Sequence, residues 1–356
     1  MLESVKGMPE GPEKKITWRT CIKATQDMFK NVVSNMFLIE TDAFVSDAVV
    51  DAIDDIFERV HARVDDNLKH ASWIDKKTKK AALKKSKRIL PLIGFPESLE
   101  NVSKLEKLFA SVEIRSNYLE TMLSYTKNKY APSKLWAKLE RHVPDHAWLS
   151  APYKINAFYA AAMNQILIPY GILQQPFFEH GRSMALNYGG IGFTIGHELS
   201  HAFDDNGRLY DGHGNKRNWW TAGAERGFKE QKKCLEYQFG NNTLFGHLIN
   251  GKNTIGETIA DNGGLAAAWK AFSALKQNLT EQTEFTPEQL FFIGYGQVWC
   301  GNNTDRYEIE KIQKDPHPPS KVRVNVAVGN SKDFSTVFKC PVGSPMNPKM
   351  KCNIWK

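Results

Sequence analysis

The sequence IGHELSH, at residues 195–201, contains the most specific motif of the chain. It contains the pattern His-Glu-x-x-His, in which His197 and His201 are four residues apart. On an α-helix, residues at this spacing lie about 40° apart around the axis and about 6 Å apart along it, so both imidazoles can reach one ion. Two neutral imidazoles suit a tetrahedral zinc site, which then needs one more protein ligand and a water molecule. We therefore predict a zinc-binding helix over residues 192–204.

Glu198 belongs to the same helix but is rotated away from the edge that carries the two histidines. From that position its carboxylate can take a proton from the attacking water without binding the metal. The competing interpretation is a chance match on an ordinary helix. Because the chain has ten histidines, chance would produce this pattern in roughly a few per cent of such sequences, so its surroundings must decide.

A second acidic stretch, GETIADNGG at residues 256–264, follows downstream. It places Glu257 and Asp261 four residues apart, and therefore on one face of a predicted helix. Glu257 could complete the zinc shell, and Asp261 could accept the second ring proton of a liganding histidine. An acidic helix start followed by glycines would be the preferred interpretation if the histidine motif were absent.

The rest of the chain is predicted to be mostly helical. Apolar residues recur at three- and four-residue steps within residues 42–88, and the many lysines of 72–88 indicate a solvated helix face rather than an anion-binding patch. Two short apolar runs, at 154–159 and 165–169, are typical of a β-hairpin. The proline-rich segment 315–320 is expected to lead into a final irregular region. Pro91, Gly94 and Pro96 are expected to break the helical pattern after residue 88. Further helices are predicted near 105–125, 224–237, 258–275 and 287–299.

Length and charge bound the class of protein. The 356 residues, 42% of them hydrophobic, can bury a large core and are expected to form two lobes. The net charge of +8 is spread among acidic residues without a basic-aromatic signature, so nucleic-acid binding is not expected. The sequence has no apolar run long enough for a membrane span and no apolar signal region near its start. We therefore expect no membrane segment in this chain.

The cysteines and sequons bear on the compartment. The five cysteines are too widely spaced for a compact zinc knuckle, and their number is odd. Together with four Asn-x-Ser/Thr sequons, at Asn101, Asn241, Asn278 and Asn302, they favour a secreted glycoprotein. The lack of a signal region points the other way, so the residues alone leave the compartment open.

The chain contains, in order, NAFY at 156–159, the stretches 164–178, 196–206 and 256–264, WCG at 299–301 and CNIW at 352–355. Together these stretches resemble the neprilysin and endothelin-converting-enzyme family of zinc metallopeptidases. The resemblance implies a mainly α (α+β) fold, with a thermolysin-like zincin core, helical lobes and a small β-sheet. It also implies a helical lobe over residues 1–134 and a catalytic domain over 135–356. A weaker similarity begins near Trp18, so nearly the whole chain is covered.

The resemblance implies a metal centre with one zinc ion per chain. The ligands would be His197, His201 and Glu257. Asp261 would orient His197, and Asp204 would similarly support His201. The implied activity is that of a zinc metalloendopeptidase acting on small peptides.

The resemblance also implies how a peptide is bound and cleaved. Glu198 would be the general base and then the proton donor, His317 would stabilise the oxyanion, and Arg323 would hold a substrate carbonyl. Asn156 and Ala157 would pair with an extended peptide as an added strand. An apolar pocket would accept the side chain after the scissile bond, which predicts cleavage on the amino side of hydrophobic residues. The wall of that pocket would consist of Ile172, Phe177, Phe193, Thr194 and Trp299.

The chain also departs from the family pattern. Members usually carry a further helical segment, with a signal or membrane anchor, before the region present here, and they act as secreted proteins or ectodomains. The resemblance implies that Cys234 pairs with Cys352, and that Cys21, Cys300 and Cys340 pair with that further segment. A fragment and a natural short form both remain open. So do two other functions: a protease of broader specificity, and a catalytically poor homologue that binds zinc or peptide.

Overall fold

The computed structural model describes residues 17–43, 47–131, 148–275 and 284–355. Most of these residues form helices, and the strands are few and short. The helices are α1 (Trp18–Met28), α2 (Lys30–Glu40), α3 (Asp47–His70), α4 (Lys76–Ser86), α5 (Val102–Phe109), α6 (Tyr118–Lys129), α7 (Met184–Asn187), α8 (Phe193–His201), α9 (Ala222–Gly240), α10 (Ile255–Ser273), α11 (Pro287–Val298), α12 (Asp305–Lys314), α13 (Ser320–Asn330) and α14 (Lys332–Val337). The strands are β1 (Leu90–Gly94), β2 (Phe158–Ala160), β3 (Gln165–Pro169), β4 (Thr243–Leu244) and β5 (His247–Leu248).

The chain divides into two compact units. The smaller consists of Met1–Asp42 and Pro96–Pro144, and the larger of Ala43–Phe95 and Asp145–Lys356. Helices α3 and α4 and strand β1 therefore belong to the same unit as the zinc motif, although residues 96–144 of the smaller unit separate them from it in the sequence. The predicted boundary between residues 134 and 135 lies outside the described residues, and the functional division there stays a prediction.

The smaller unit is built around aromatic and amide contacts between its helices. The ring of Phe29 packs against those of Phe109 and Tyr125, with centroids 5.6 and 5.7 Å apart. The buried Asn35 amide donates to Leu99 O at 2.7 Å. The single helix predicted near residues 105–125 is wrong, because two separate helices, α5 and α6, occupy this region. Each begins with an asparagine cap that the periodicity did not indicate.

Helix α3 supplies the largest apolar face of the larger unit. Ile53, Ile56, Val60 and Val64 follow the three- and four-residue spacing, and all are at most 5% exposed. This stripe packs on α8 and α10, where burial of each aliphatic side chain contributes about 1.5–3 kcal/mol. The predicted helical character of residues 42–88 is thus realised as two helices with a break at 71–75.

Helix α4 differs from the predicted solvated lysine face at one position. The helix begins at Lys76, and Asp75 caps it by accepting hydrogen bonds from the amides of Lys77 and Thr78 at 2.9 and 3.0 Å. Most of its lysines are exposed, as predicted, but Lys85 is only 1% exposed. The prediction of a solvated lysine is wrong at this position, because backbone carbonyls of the larger unit satisfy its ammonium group, as described below.

The main sheet has three strands in the order β1-β3-β2. Strands β2 and β3 are antiparallel and form the predicted hairpin. Strand β1, which was not predicted, runs parallel to β3. Pro91 and Gly94 suggested a break, but β1 is an edge strand, where a missing backbone N–H is tolerated. The other edge is β2.

The prediction of an irregular ending holds for only part of the C-terminal region. Helices α13 and α14 directly follow the proline-rich segment, so the prediction is wrong over residues 320–337, whereas the described residues 338–355 contain no helix or strand. The valines of α13 alternate along the sequence in a way that hides the helical period, and tertiary packing overrides their low helix propensity. The predicted Cys234–Cys352 disulfide is confirmed, with Cα atoms 5.6 Å apart. In the described ranges, no helix is both long and apolar enough to cross a membrane.

Candidate active site

Helices α8 and α10 cross with their backbones in direct contact at two glycines. A Cβ atom added to Gly196 would lie 2.7 Å from Gly264 O, and one added to Gly264 would lie 2.5 Å from His197 N. Any side chain would force the helices apart, so glycine is required at both positions. The close crossing brings the imidazoles of α8 within reach of the Glu257 carboxylate on α10.

His197, His201 and Glu257 converge on one point. The two Nε2 atoms are 3.0 Å apart. Glu257 Oε2 lies 3.4 Å from His197 Nε2, and Glu257 Oε1 lies 3.5 Å from His201 Nε2. In a tetrahedral zinc site with ligand bonds of about 2.0–2.1 Å, the ligand atoms are about 3.3 Å apart. The donor set and its spacing therefore fit zinc.

Each histidine has a carboxylate behind its other ring nitrogen. His197 Nδ1 lies 3.0 Å from Asp261 Oδ1, and His201 Nδ1 lies 2.6 Å from Asp204 Oδ2. Partners of this kind fix the orientation and tautomer of a liganding imidazole. Both Nε2 atoms are thus directed toward the shared centre. The carboxylates also shift the proton affinity of the site: burial alone would lower the pKa of His197, but Asp261 and Glu257 raise it to about 10.

The carboxylate of Glu198 faces the cavity beside the metal-binding atoms and is 6% exposed. Burial raises its pKa above the ordinary value, while the neighbouring His197 and His201 act in the opposite direction. A carboxylate with a raised pKa is a stronger base than a solvated one, which suits a group that must accept a proton near neutral pH.

The guanidinium of Arg323 lies beneath the site. Its Nε and Nη2 donate to the two oxygens of Asp261 at 2.7 and 2.6 Å, and Nη2 also donates to Glu257 Oε2 at 3.1 Å. The group lies over the Trp299 ring, 4.0 Å from its centroid. Arg323 is 4% exposed and also lines the cavity. The structure therefore pairs it with two carboxylates, a contact that the sequence did not suggest.

His317 is at the rim of the site. Its Nε2 lies 3.3 Å from Glu257 Oε1, and its Nδ1 lies 2.6 Å from Asp315 Oδ1. The amide of His317 donates to the same Asp315 oxygen at 2.8 Å, which fixes the ring against its own loop. The side chain is 46% exposed, so its Nε2 edge is accessible from the cavity.

A cavity of about 610 Å³ covers these residues, a volume typical of ligand sites. Asn156 and Ala157 lie along one side of it, just before the edge strand β2. The outer edge of β2 pairs with no other strand in the described part of the chain. An unpaired strand edge beside a cavity can accept an extended peptide as an added strand.

Of the five residues predicted to form the apolar pocket wall, three line the cavity and two do not. Phe193, Thr194 and Trp299 line the cavity, with the Phe193 and Trp299 rings edge to face at 5.9 Å. Ile172 and Phe177 do not line it; Ile172 is buried and Phe177 packs on the hydrophobic core.

Sequence reasoning missed several polar residues of the cavity, among them Asp205 and Asn253. Asn253 Nδ2 donates to Asp315 O at 3.1 Å next to His317. Asn253 gave no signal, because it lies in a loop that only the tertiary fold brings to the site. Asp205 follows Asp204 directly and could have been included on that ground.

Comparison with known sequences places the chain among peptidases. The sequence profile of peptidase family M13 matches residues 156–354, and a second profile with the same description matches residues 3–96. The endothelin-converting enzyme homolog of Locusta migratoria is 39% identical over 97% of this chain and 48% of its own length. Human neprilysin is 37% identical over 95% of this chain and 46% of its own length. The chain thus spans about half the length of the relatives it matches.

Solved structures agree. The zinc metalloprotease ZMP1 of Mycobacterium tuberculosis, in complex with an inhibitor, superposes with a TM-score of 0.83 and 28% identity over 95% of this chain and 51% of that chain. PepO from Lactobacillus rhamnosis HN001 gives a TM-score of 0.80 and 26% identity over 95% of this chain and 52% of that chain. The expected mainly α, thermolysin-like zincin fold is confirmed.

Proposed function

Because the chain belongs to peptidase family M13, we propose that it is a zinc metalloendopeptidase that hydrolyses small peptides on the amino side of hydrophobic residues. The observation that carries this proposal is the convergence of His197, His201 and Glu257: the two histidine Nε2 atoms are 3.0 Å apart, and one Glu257 oxygen lies 3.4 Å from His197 Nε2 while the other lies 3.5 Å from His201 Nε2. We assign one zinc ion to His197, His201 and Glu257. Asp261 and Asp204 orient the two histidines.

The bound zinc would act as a Lewis acid that polarises the peptide carbonyl and acidifies water. Glu198 removes one proton from the attacking water as its oxygen bonds to the carbonyl carbon. The same carboxyl group then delivers that proton to the amide nitrogen as the C–N bond breaks. His317 donates from Nε2 to the oxyanion that forms.

Substrate alignment follows from the edge strand and the cavity wall. The open edge near Asn156 and Ala157 supports binding of an extended peptide, and Arg323 would hold a carbonyl of that peptide with an N–H not used by the carboxylates. Phe193 and Trp299 provide an apolar surface for the side chain after the scissile bond, with Thr194 as its polar member. We propose this surface as the source of the preference for hydrophobic residues.

The proposal is tested by metal analysis and product mapping on the purified chain. We expect one zinc ion per chain by mass spectrometry of the metal content. Incubation with a mixture of small peptides should yield new amino termini that begin with hydrophobic residues. Bound zinc without any cleavage would favour the alternative function, a catalytically poor protein that binds zinc or peptide.

We also propose an extracellular location, with the metal ligands and the catalytic residues all within residues 135–356. The disulfide between Cys234 and Cys352 supports an oxidising compartment. The sequon residues Asn101, Asn241 and Asn302 are exposed, and Asn278 lies outside the described residues. Expression through a secretory pathway should give a chain whose mass falls on treatment with an N-glycosidase; an unchanged mass would contradict glycosylation.

A further inference from the structure

The ammonium group of Lys85 is enclosed by the segment that follows the metal-binding helix α8. It donates to Ala202 O at 2.7 Å, to Gly207 O at 2.7 Å and to Tyr210 O at 2.9 Å. An ammonium group has three N–H donors, and all three are used here. Lys85 belongs to α4, far from α8 in sequence, and is 1% exposed.

Three aromatic rings complete the enclosure of this cation. The Lys85 Nζ atom lies 5.5 Å from the centroid of Phe203, 5.7 Å from that of Tyr159 and 6.0 Å from that of Trp219. Ring faces attract a desolvated cation within about 6 Å. No exposed lysine of α4 has such surroundings. Lys85 is therefore a buried lysine with specific partners, unlike the solvated lysines of the same helix.

The three carbonyls belong to the segment that holds Asp204. Asp204 Oδ1 accepts hydrogen bonds from the amides of Asn206 and Gly207 at 2.8 and 2.6 Å, while Oδ2 faces His201 Nδ1 at 2.6 Å. Ala202 and Gly207, on either side of Asp204, each have their carbonyl held by Lys85. The Asp204 carboxylate therefore lies in a segment whose carbonyls before and after it, at Ala202 and Gly207, both accept hydrogen bonds from the Lys85 ammonium group.

Lys85 also pairs with the C-terminal end of α8. The last carbonyls of a helix have no partner within the helix and carry a partial negative charge. Ala202 is the C-cap residue of α8, and its carbonyl points to the Lys85 ammonium. The backbone is closely packed at this point, since a Cβ atom added to Gly207 would lie 1.8 Å from His201 O.

We infer that Lys85 is a positioning residue for the metal centre: it fixes the segment after α8 so that Asp204 holds His201 in its metal-binding orientation. Lys85 itself does not line the cavity and has no hydrogen bond to a metal ligand; its contacts Gly207 and Tyr159 do line the cavity, and its effect on the metal centre passes through Asp204. This inference rests on the proposed zinc function. It places an essential element of the site in α4, within the N-terminal part of the chain.

The test is a double-mutant cycle on zinc affinity. The dissociation constant for Zn²⁺ is measured by competition with a chromophoric chelator for the native protein, Lys85→Met, Asp204→Ala and the double variant. Lys84→Met, which removes an exposed lysine one position away, is the matched control. We expect Lys85→Met to weaken zinc binding about 10–100-fold, as loss of supporting partners usually does, and the control to leave it unchanged.

The coupling distinguishes positioning from general stability. If Lys85 acts through Asp204, its replacement in the Asp204→Ala background should cost less than about threefold. Additive losses would overturn the inference, as would native affinity in a folded Lys85→Met protein. Lys85→Arg keeps the charge and several N–H donors, and is measured in parallel in case Lys85→Met does not fold. We expect a partial loss that again disappears in the Asp204→Ala background, and native affinity for Lys85→Arg would count against the inference.

Failure of the proposed function gives a different result. A native protein that binds no zinc would overturn the zinc function itself. Tight zinc binding by the native protein and by the folded Lys85 variants would leave that function intact and overturn only the role of Lys85.

Discussion

Arg323 Nη2 lies 2.6 Å from Asp261 Oδ1, and this ion pair is almost completely buried beneath the metal-binding residues. Asp261 is thereby shared between Arg323 and His197, whose Nδ1 lies 3.0 Å from the same oxygen. The guanidinium compensates two carboxylates, since it also contacts Glu257. The buried carboxylates of Asp261 and Glu257 therefore have a cationic partner within the protein in addition to the metal.

Replacing this arginine should destabilise the metal-free protein. Arg323→Met leaves the buried carboxylates of Asp261 and Glu257 without their cation, and breaking a buried pair typically costs about 3–5 kcal/mol. Urea unfolding in the presence of a chelator measures the loss. The control is Arg306→Met, because Arg306 pairs with Glu310 on an exposed helix face, where little change is expected. Equal unfolding midpoints for the two variants would contradict the assigned role of Arg323.

The contact between α8 and α10 should not tolerate a methyl group. In Gly264→Ala the added Cβ meets His197 N at 2.5 Å, so the helices must separate and the ligand atoms move apart. We expect a loss of about 3 kcal/mol in the free energy of unfolding, together with weaker zinc binding. Gly296→Ala is the matched control, since no heavy atom lies within 4 Å of its Cβ and alanine favours a helix. Similar stability in both variants would contradict the close crossing.

Zinc affinity should fall as the pH falls. In the metal-free site the carboxylates of Asp261 and Glu257 raise the pKa of His197 to about 10, although burial acts in the opposite direction. His197 is therefore protonated below that pH, and zinc must displace the proton in order to bind. Each pH unit downward should weaken binding up to tenfold for each proton released. Chelator competition between pH 6 and 8.5 tests this, and a pH-independent dissociation constant would contradict it.

His317 should matter for turnover and not for metal binding. Removing one donor to an oxyanion typically lowers kcat about 10²–10³-fold, so we expect a loss of this size in His317→Ala with an unchanged zinc content. His247→Ala is the control, because His247 is exposed on the short strand β5. A fall in kcat that is equal in both variants, or absent from both, would remove His317 from the mechanism.

The sequence predicted the parts of the site that depend on local spacing. The positions of His197 and His201 on one helix, and of Glu257 and Asp261 on another, follow from the four-residue period. Their meeting depends on the crossing of α8 and α10, which periodicity alone does not encode. The histidine motif and the family resemblance supplied that link.

Other features depended on tertiary contacts and could not be predicted. Pro91 indicated a break and instead belongs to an edge strand, where its missing N–H is harmless. Lys85 was interpreted as solvated because lysine usually is, yet three carbonyls distant in sequence make burial favourable. The valines around Val324 hid a helix, since β-branched residues at alternate positions resemble a strand.

Catalysis by Glu198 is tested by comparing zinc-loaded native protein with zinc-loaded Glu198→Gln. The substrate is a quenched peptide with a hydrophobic residue after the scissile bond. The substitution keeps the size of the side chain and removes the base, so zinc should remain bound. We predict chelator-sensitive turnover by the native chain and a loss of about 10²–10⁴-fold in the variant, the range expected for a general acid–base group. Equal rates for the two proteins at equal zinc content would contradict catalysis by Glu198.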